Sequence, residues 1–182
     1  MAGKVKRAYP PGHPGLCVYA TGGMWTSTLA GSATVTGPAV DVDTVNGIRI
    51  RRNYDTSLPE IQGDREQLIQ AVLNIAHNAA LALADRRAEG DAELILRTRI
   101  ARQVTFGKQR YRLALELHVI DNGPGVPDSI KDRIFFPLIS GREGGSGLGL
   151  TLAQTFVQQH HGLIECDSMP GRTDFKILIP LP

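Results

Sequence analysis

Asp121-Asn122-Gly123-Pro124-Gly125, then Phe135-Phe136-Pro137, then Gly145-Ser146-Gly147-Leu148-Gly149-Leu150: these three pieces organise the chain. A carboxylate and a glycine bend come first, and an aromatic–proline step follows. The second glycine cluster opens directly into an apolar helical pattern. Backbone N–H groups at a helix start, unobstructed by side chains, form an anion site. An Asp held beside Gly-x-Gly can read the other end of the same ligand. The stretch therefore predicts a nucleotide pocket.

Outward from it the hydrophobic pattern is regular. Upstream, Tyr111, Leu113, Leu115, Leu117 and Val119 alternate on one face of a strand over residues 111–121. Its partner strand covers residues 93–100, with a turn at Phe106-Gly107-Lys108. Asp64-x-x-Gln67 reads as a capping box. It opens a helix with Leu68, Val72, Ile75, Ala79 and Leu83 on or near one face, fraying out over residues 86–90. Before it, Ile48-Arg49-Ile50-Arg51 alternates as a strand and residues 54–63 form a loop. Downstream, Pro127-Asp128-Ser129 suits the first turn of a short helix. Leu148, Leu152, Phe156, Ala153 and Val157 mark another helix, with a stop at Gly162. Strands over residues 162–167 and 173–179 close the chain. The pattern predicts an α+β fold: a two-layer α/β sandwich with a mixed, mostly antiparallel sheet and helices on one face.

The 182 residues, 42% hydrophobic with a net charge of +2, suit one globular domain with a sizeable core. That charge gives no electrostatic reason to expect nucleic acid or an anionic membrane surface. Cys17 and Cys166 lie far apart without C-x-x-C spacing, so neither a disulfide framework nor a zinc site is indicated. A cytoplasmic protein is expected. Residues 8–40 hold no Asp, Glu, Lys or Arg, yet Pro10, Pro11, Pro14, Gly22, Gly23 and Gly31 interrupt any apolar run. No window approaches the ~20 apolar residues of a spanning helix. Residues 1–45 are expected to form a poorly ordered leader, and residues 46–182 the folded domain.

Four features carry chemistry. Asn74 and Asn78 lie four residues apart, so their side chains rise from one helix face about 6 Å apart. Their amide oxygens can ligate Mg²⁺, which takes its other ligands from water and phosphate. The plainer alternative has one Asn facing solvent and the other capping a loop. Asp121, at a strand end, can accept from the exocyclic amine of adenine and would repel the guanine oxygen; alternatively it starts an Asx turn ahead of Gly123. The second glycine cluster fits neither a P-loop nor G-x-G-x-x-G. Arg142 beside it offers charge-assisted bonds to a phosphate tail, or is solvated.

Together, the N-x-x-x-N-A helix, D-x-G-x-G, Phe135-Phe136-Pro137, G-x-G-L-G-L and Gly171-Arg172-Thr173-x-Phe175 resemble the GHKL ATPase/kinase superfamily. The wording of residues 121–127, 136–145 and Pro170-Gly171-Arg172-Thr173 is similar to NtrB-type nitrogen-regulation sensor histidine kinases. The likeness covers residues 47–181. It implies the Bergerat version of the sandwich, with ATP and Mg²⁺ as ligands. Asn78 would bind Mg²⁺ and Asn74 would lie nearer the phosphates. Asp121 would read adenine, with Gly123 and Gly125 letting the backbone pass close to the base and Thr173 adding a hydroxyl. A short lid over residues 136–145 would bring Arg142 to the phosphates. Gly145, Gly147, Leu148 and Gly149 would supply the loop and amides around the phosphate tail. Asn74, Asn78 and Arg142 are the catalytic candidates.

The superfamily's hydrolases carry Glu where this chain has Asn74, so the resemblance implies transfer to histidine more than hydrolysis. The same likeness implies a response regulator and a PII-type signal protein as partners. His13, His77, His118, His160 and His161 lack the H-E-x-x-N-P context of a phosphoacceptor, and residues 1–45 show no motif of the family. A dimerisation domain bearing the histidine is therefore expected in trans, with this chain a monomer. The rival expectations are a nucleotide-binding module or truncated kinase fragment without transfer activity, and an ATPase.

Overall fold

The computed structural model describes residues 18–21, 24–27, 41–106, 108–141 and 145–181, with side chains from residue 42 onward. β1 (Val18–Thr21) and β2 (Met24–Ser27) pair as an antiparallel hairpin in a sheet of their own. The main sheet has six strands: β3 (Asp41–Val45), β4 (Ile48–Asn53), β5 (Glu93–Phe106), β6 (Gln109–Asp121), β7 (Leu163–Met169) and β8 (Arg172–Pro180). Their spatial order is β3-β4-β5-β6-β8-β7, and only β4 and β5 run parallel. Four helices complete the described chain: α1 (Arg65–Ala82), α2 (Ala84–Glu89), α3 (Asp128–Lys131) and α4 (Gly149–Gln159). The result is the expected two-layer sandwich, with the helices on one sheet face.

The sheet begins at Asp41, inside the segment the sequence assigned to the leader. Asn46 and Gly47 take φ values of 50° and 77°, the left-handed pair of a two-residue hairpin turn whose twist matches antiparallel strands. That turn folds residues 41–45 back onto β4. The Asn-Gly pair between alternating apolar residues was the overlooked signal. β5 and β6 are also longer than expected, running to Phe106 and from Gln109, because Val104↔Tyr111 and Phe106↔Gln109 stay in register. Phe106 and Tyr111 stack there at 4.5 Å.

The core lies between sheet and helices. Leu96, Val119 and Phe175 fall opposite one another across β5, β6 and β8, so they share a face. They meet Ala71, Ile75 and Ala79 of α1 and Ala153 and Val157 of α4, all buried. The three alanines let the two helices approach closely. Ile75 is fully buried, and cutting it to Ala should cost about 2–5 kcal/mol.

Polar contacts fix the helix ends. The Asp64 carboxylate accepts the Gln67 N–H at 3.0 Å, the capping bond expected at the start of α1. The Asp64 N–H in turn donates to His160 Nε2 at 2.8 Å, while His160 Nδ1 donates to the Phe156 carbonyl at 2.7 Å. His160 thus ties the end of α4 to the start of α1. At the end of α4 the left-handed residue is His161 (φ 56°), not Gly162. The N–H groups of His161 and Gly162 close back on Gln158 and Val157. Gly162 serves a close approach instead: a Cβ there would sit 2.5 Å from the Leu178 carbonyl oxygen.

The sheet face without helices carries charge. Buried His118 lies 2.8 Å from Asp174 and 2.6 Å from Glu116, with Arg172 on the other oxygen of Asp174 at 2.7 Å. His77 is exposed on α1, without a place in the core. Among the described residues no helix is long and apolar enough to cross a membrane.

Candidate functional site

Among the described residues, the predicted site residues lie on the helix-facing side: Asp121 and Thr173 paired at the ends of β6 and β8, and Asn74 and Asn78 on α1 facing the start of α4. Asp121 closes β6 and is 3% exposed. Its Oδ1 accepts the Gly123 N–H at 2.9 Å, so the Asx-type bond foreseen as the plain structural alternative is present. The two uses are compatible, because a carboxylate has two oxygens and about four acceptor sites. Thr173 pairs with Asp121 across β6 and β8, which puts both on the helix-facing side. It is buried, with its hydroxyl 3.2 Å from that of Ser168.

The bend after Asp121 is stitched to the β7–β8 turn. The Gly171 N–H donates to the Gly123 carbonyl at 2.9 Å. Gly125 has φ 88°, and a Cβ on it would lie 2.9 Å from the Met169 carbonyl oxygen. Only glycine suits that conformation and that approach.

Asn74 and Asn78 face the start of α4. A Cβ placed on Gly149 would come within 3.8 Å of Asn78 Nδ2 and 3.9 Å of Asn74 Cβ. Leu148 caps α4 without a side-chain hydrogen bond, which leaves the first amides of α4 without side-chain capping. The Asn74 Oδ1 accepts from Gln70 at 3.1 Å. Its Nδ2 is buried and has no partner among the described residues. A buried donor in that condition costs about 1–3 kcal/mol, and it fits an anionic oxygen arriving from a ligand.

Between the two halves runs the connecting segment. The Leu138 N–H donates to the Gly147 carbonyl at 3.1 Å, and Thr151 Oγ1 donates to the Phe135 carbonyl at 3.0 Å. Gly147 adopts φ 64°, where a Cβ would meet the Leu138–Ile139 backbone at 2.7–2.8 Å. Phe136 and Leu138 are exposed. Gly145 is exposed just before Gly147. Arg142, with Glu143 and Gly144, lies outside the described residues.

Sequence reasoning missed three residues here. Ser168 and Lys131 link β7 to α3, Lys131 Nζ donating to the Ser168 carbonyl. Gln70 orients Asn74. The signals existed: Gln70 precedes Asn74 by one helical turn, and Ser168 mirrors Thr173 across the tight Pro170-Gly171 turn. At Cys166, opposite Phe175 on β7, burial pushes the thiol up to about 12, which disfavours the thiolate. Among the described residues no group of three or more His, Cys, Asp or Glu could hold a metal ion. A groove of about 490 Å³ beside Phe106, Tyr111 and His161 lies away from these residues, at the β5–β6 turn.

The chain thus presents a carboxylate and hydroxyl on paired strands, two asparagines facing a glycine-rich helix start, and a glycine bend after the carboxylate. The family of histidine kinase-, DNA gyrase B- and HSP90-like ATPases matches residues 63–182. The chain belongs to this ATPase family. The sensory histidine kinase/phosphatase NtrB of Salmonella typhimurium is 42% identical over 177 residues, 97% of this chain and 48% of that protein. The NtrB of Escherichia coli O157:H7 is 47% identical over 142 residues, 78% of this chain and 40% of that protein. The chain thus spans about half the length of the curated relatives it matches. The Salmonella alignment takes in most of residues 1–45, where the sequence by itself had shown no likeness to such kinases.

Among solved structures, the mycobacterial sensor histidine kinase MprB matches with a TM-score of 0.57 at 26% identity, over 74% of this chain and 83% of that one. The catalytic domain of histidine kinase ThkA gives 0.59 at 20% identity, over 74% and 80%. At that identity the second match speaks for the fold alone. The histidine-kinase ATPase sandwich is the fold of this chain.

Proposed function

We propose that this domain binds Mg-ATP and donates the γ-phosphoryl group to a histidine on a dimerisation domain, in two-component nitrogen-regulation signalling. The observation that carries the reading is the facing arrangement of Asn74, Asn78 and the uncapped start of α4, with the Asp121–Thr173 pair on the helix-facing side of the sheet. In this reading Asp121 accepts from the adenine amine, Thr173 supports the same edge, and Gly123 and Gly125 let the base lie close to the backbone. Asn74 donates to a phosphate oxygen. The amides of Gly147, Leu148 and Gly149 and the Gly145 backbone receive the tail, and Arg142 adds charge from the lid.

Mg²⁺, when bound, would offset the charge of the phosphates. Asn78 fits it as a neutral amide-oxygen ligand. Asn74 fits less well, since Gln70 already occupies its oxygen. Neutral imidazole is itself a nucleophile, so transfer to histidine needs positioning and charge stabilisation more than a base. Asn74 cannot deprotonate water, which argues against hydrolysis as the main activity. The relatives' names support a two-component role. A dimerisation domain, an NtrC-like response regulator, a PII-type protein and a cytoplasmic location belong to the same proposal.

The test is to incubate the chain with γ-labelled ATP and an NtrB-type dimerisation domain. Label on the acceptor histidine is expected. An unlabelled acceptor, under conditions where an intact kinase labels it, would overturn the transfer claim. Rapid phosphate release without acceptor would favour an ATPase.

A further inference from the structure

We propose that Ser168 is a positioning residue: it sets the direction of the Thr173 hydroxyl and thereby favours adenine over bases with the opposite edge. This rests on the adenine-nucleotide reading above and on the hydrogen bonds that surround Ser168. Ser168 is 5% exposed and Thr173 4%. The Val126 N–H donates to Ser168 Oγ at 2.8 Å, and Ser168 Oγ lies 3.2 Å from Thr173 Oγ1. A hydroxyl has one proton to give. Among the described residues, Thr173 Oγ1 is the one acceptor in hydrogen-bond reach of the Ser168 proton. Either hydroxyl can supply the proton of this bond; we assign it to Ser168, whose oxygen already accepts from the Val126 N–H, with Thr173 accepting.

The proton of Thr173 is then directed away from Ser168. Thr173 is the cross-strand partner of Asp121 on the helix-facing side of the sheet. That side offers an acceptor, Asp121, beside a donor, Thr173. The N6/N1 edge of adenine is a donor beside an acceptor and matches it directly or through one water. The O6/N1–H edge of guanine or hypoxanthine is the reverse, and would leave both protein groups unpaired. The same Ser168 is held from both sides, by Val126 through its hydroxyl and by Lys131 of α3 through its carbonyl. Its hydroxyl therefore has little freedom to reverse the chain of donors.

The experiment compares ATP and inosine triphosphate binding by calorimetry in the full chain, in Ser168→Ala, in Ser168→Cys, which donates weakly, and in Ser168→Thr. We expect Ser168→Ala and Ser168→Cys to weaken ATP about tenfold while inosine triphosphate changes little, so that discrimination narrows. Ser168→Thr should restore it. The Cys variant keeps the volume and reads the same effect should the Ala variant fail to fold. Equal losses for both nucleotides, or an unchanged ratio, would overturn the inference. Failure of the unaltered chain to bind ATP would overturn the adenine reading beneath it.

Discussion

At the Asp121 end the polar groups are joined: Asp121 takes the Gly123 N–H, Ser168 takes that of Val126, and Ser168 meets Thr173. At the Asn74 end the Nδ2 group is buried without a partner among the described residues. Nearby Leu138 is 77% exposed with a φ of 65°, a conformation that costs a non-glycine residue about 1–2 kcal/mol. One end is built on paired strands, its polar groups held in place by one another. The other sits at a helix start and a loop, with a donor and strain in reserve. The difference points to a base end formed in advance and a phosphate end finished by the ligand.

This contrast can be broken by substitution. The largest effect is expected at Asp121→Asn, which replaces one acceptor by a donor in a buried place. ATP affinity should fall about 100-fold, roughly 3 kcal/mol, with little change in the far-ultraviolet dichroism. Affinity within a factor of three of the original would remove Asp121 from base recognition. Next, Asn78→Ala should cost ATP about tenfold or more when Mg²⁺ is present and little when it is absent. A loss of the same size in both titrations would mean that Asn78 acts on something besides the metal.

Asn74→Leu sharpens the comparison most. It removes an unpaired buried donor at similar volume, so stability should rise by about 1 kcal/mol while ATP binding weakens. The matching change at the base end, Thr173→Val, should lower both. Denaturant titration of the two variants decides it, and a loss of stability in Asn74→Leu would contradict the account. The smallest effect is expected from Leu138→Gly, where relief of the positive φ offsets the greater freedom of the unfolded chain. A gain of no more than about 1 kcal/mol is predicted, read as a rise in melting temperature with adenosine binding unchanged.

Much of this was legible in the sequence because the relevant residues are close in the chain or periodic. Val119 and Asp121 lie at the end of an alternating strand, and Asn74 and Asn78 share a helix face. β3 was not legible because residues 41–45 follow directly on the charge-free stretch 8–40 and are marked as a strand only by the Asn46-Gly47 turn. The end of α4 was read one residue late, because His161 takes the left-handed place that Gly162 was expected to hold. Ser168 and Gln70 carried positional signals, but their roles were not legible for a different reason. Each acts by holding a neighbour's hydrogen-bonding groups in one orientation. Such a role depends on which atoms are already satisfied, and spacing alone does not carry that. Arg142, the lid residue assigned from the resemblance, lies outside the described residues, so its place in the site rests on the proposal.

The most direct test of a preformed base end and a ligand-completed phosphate end is one calorimetric series on the unaltered chain. It titrates adenosine, ATP and GTP, each with and without Mg²⁺. The account predicts weak adenosine binding indifferent to Mg²⁺, ATP binding that tightens when Mg²⁺ is added, and no measurable GTP binding. GTP binding as tight as ATP, or ATP binding that ignores Mg²⁺, would contradict it.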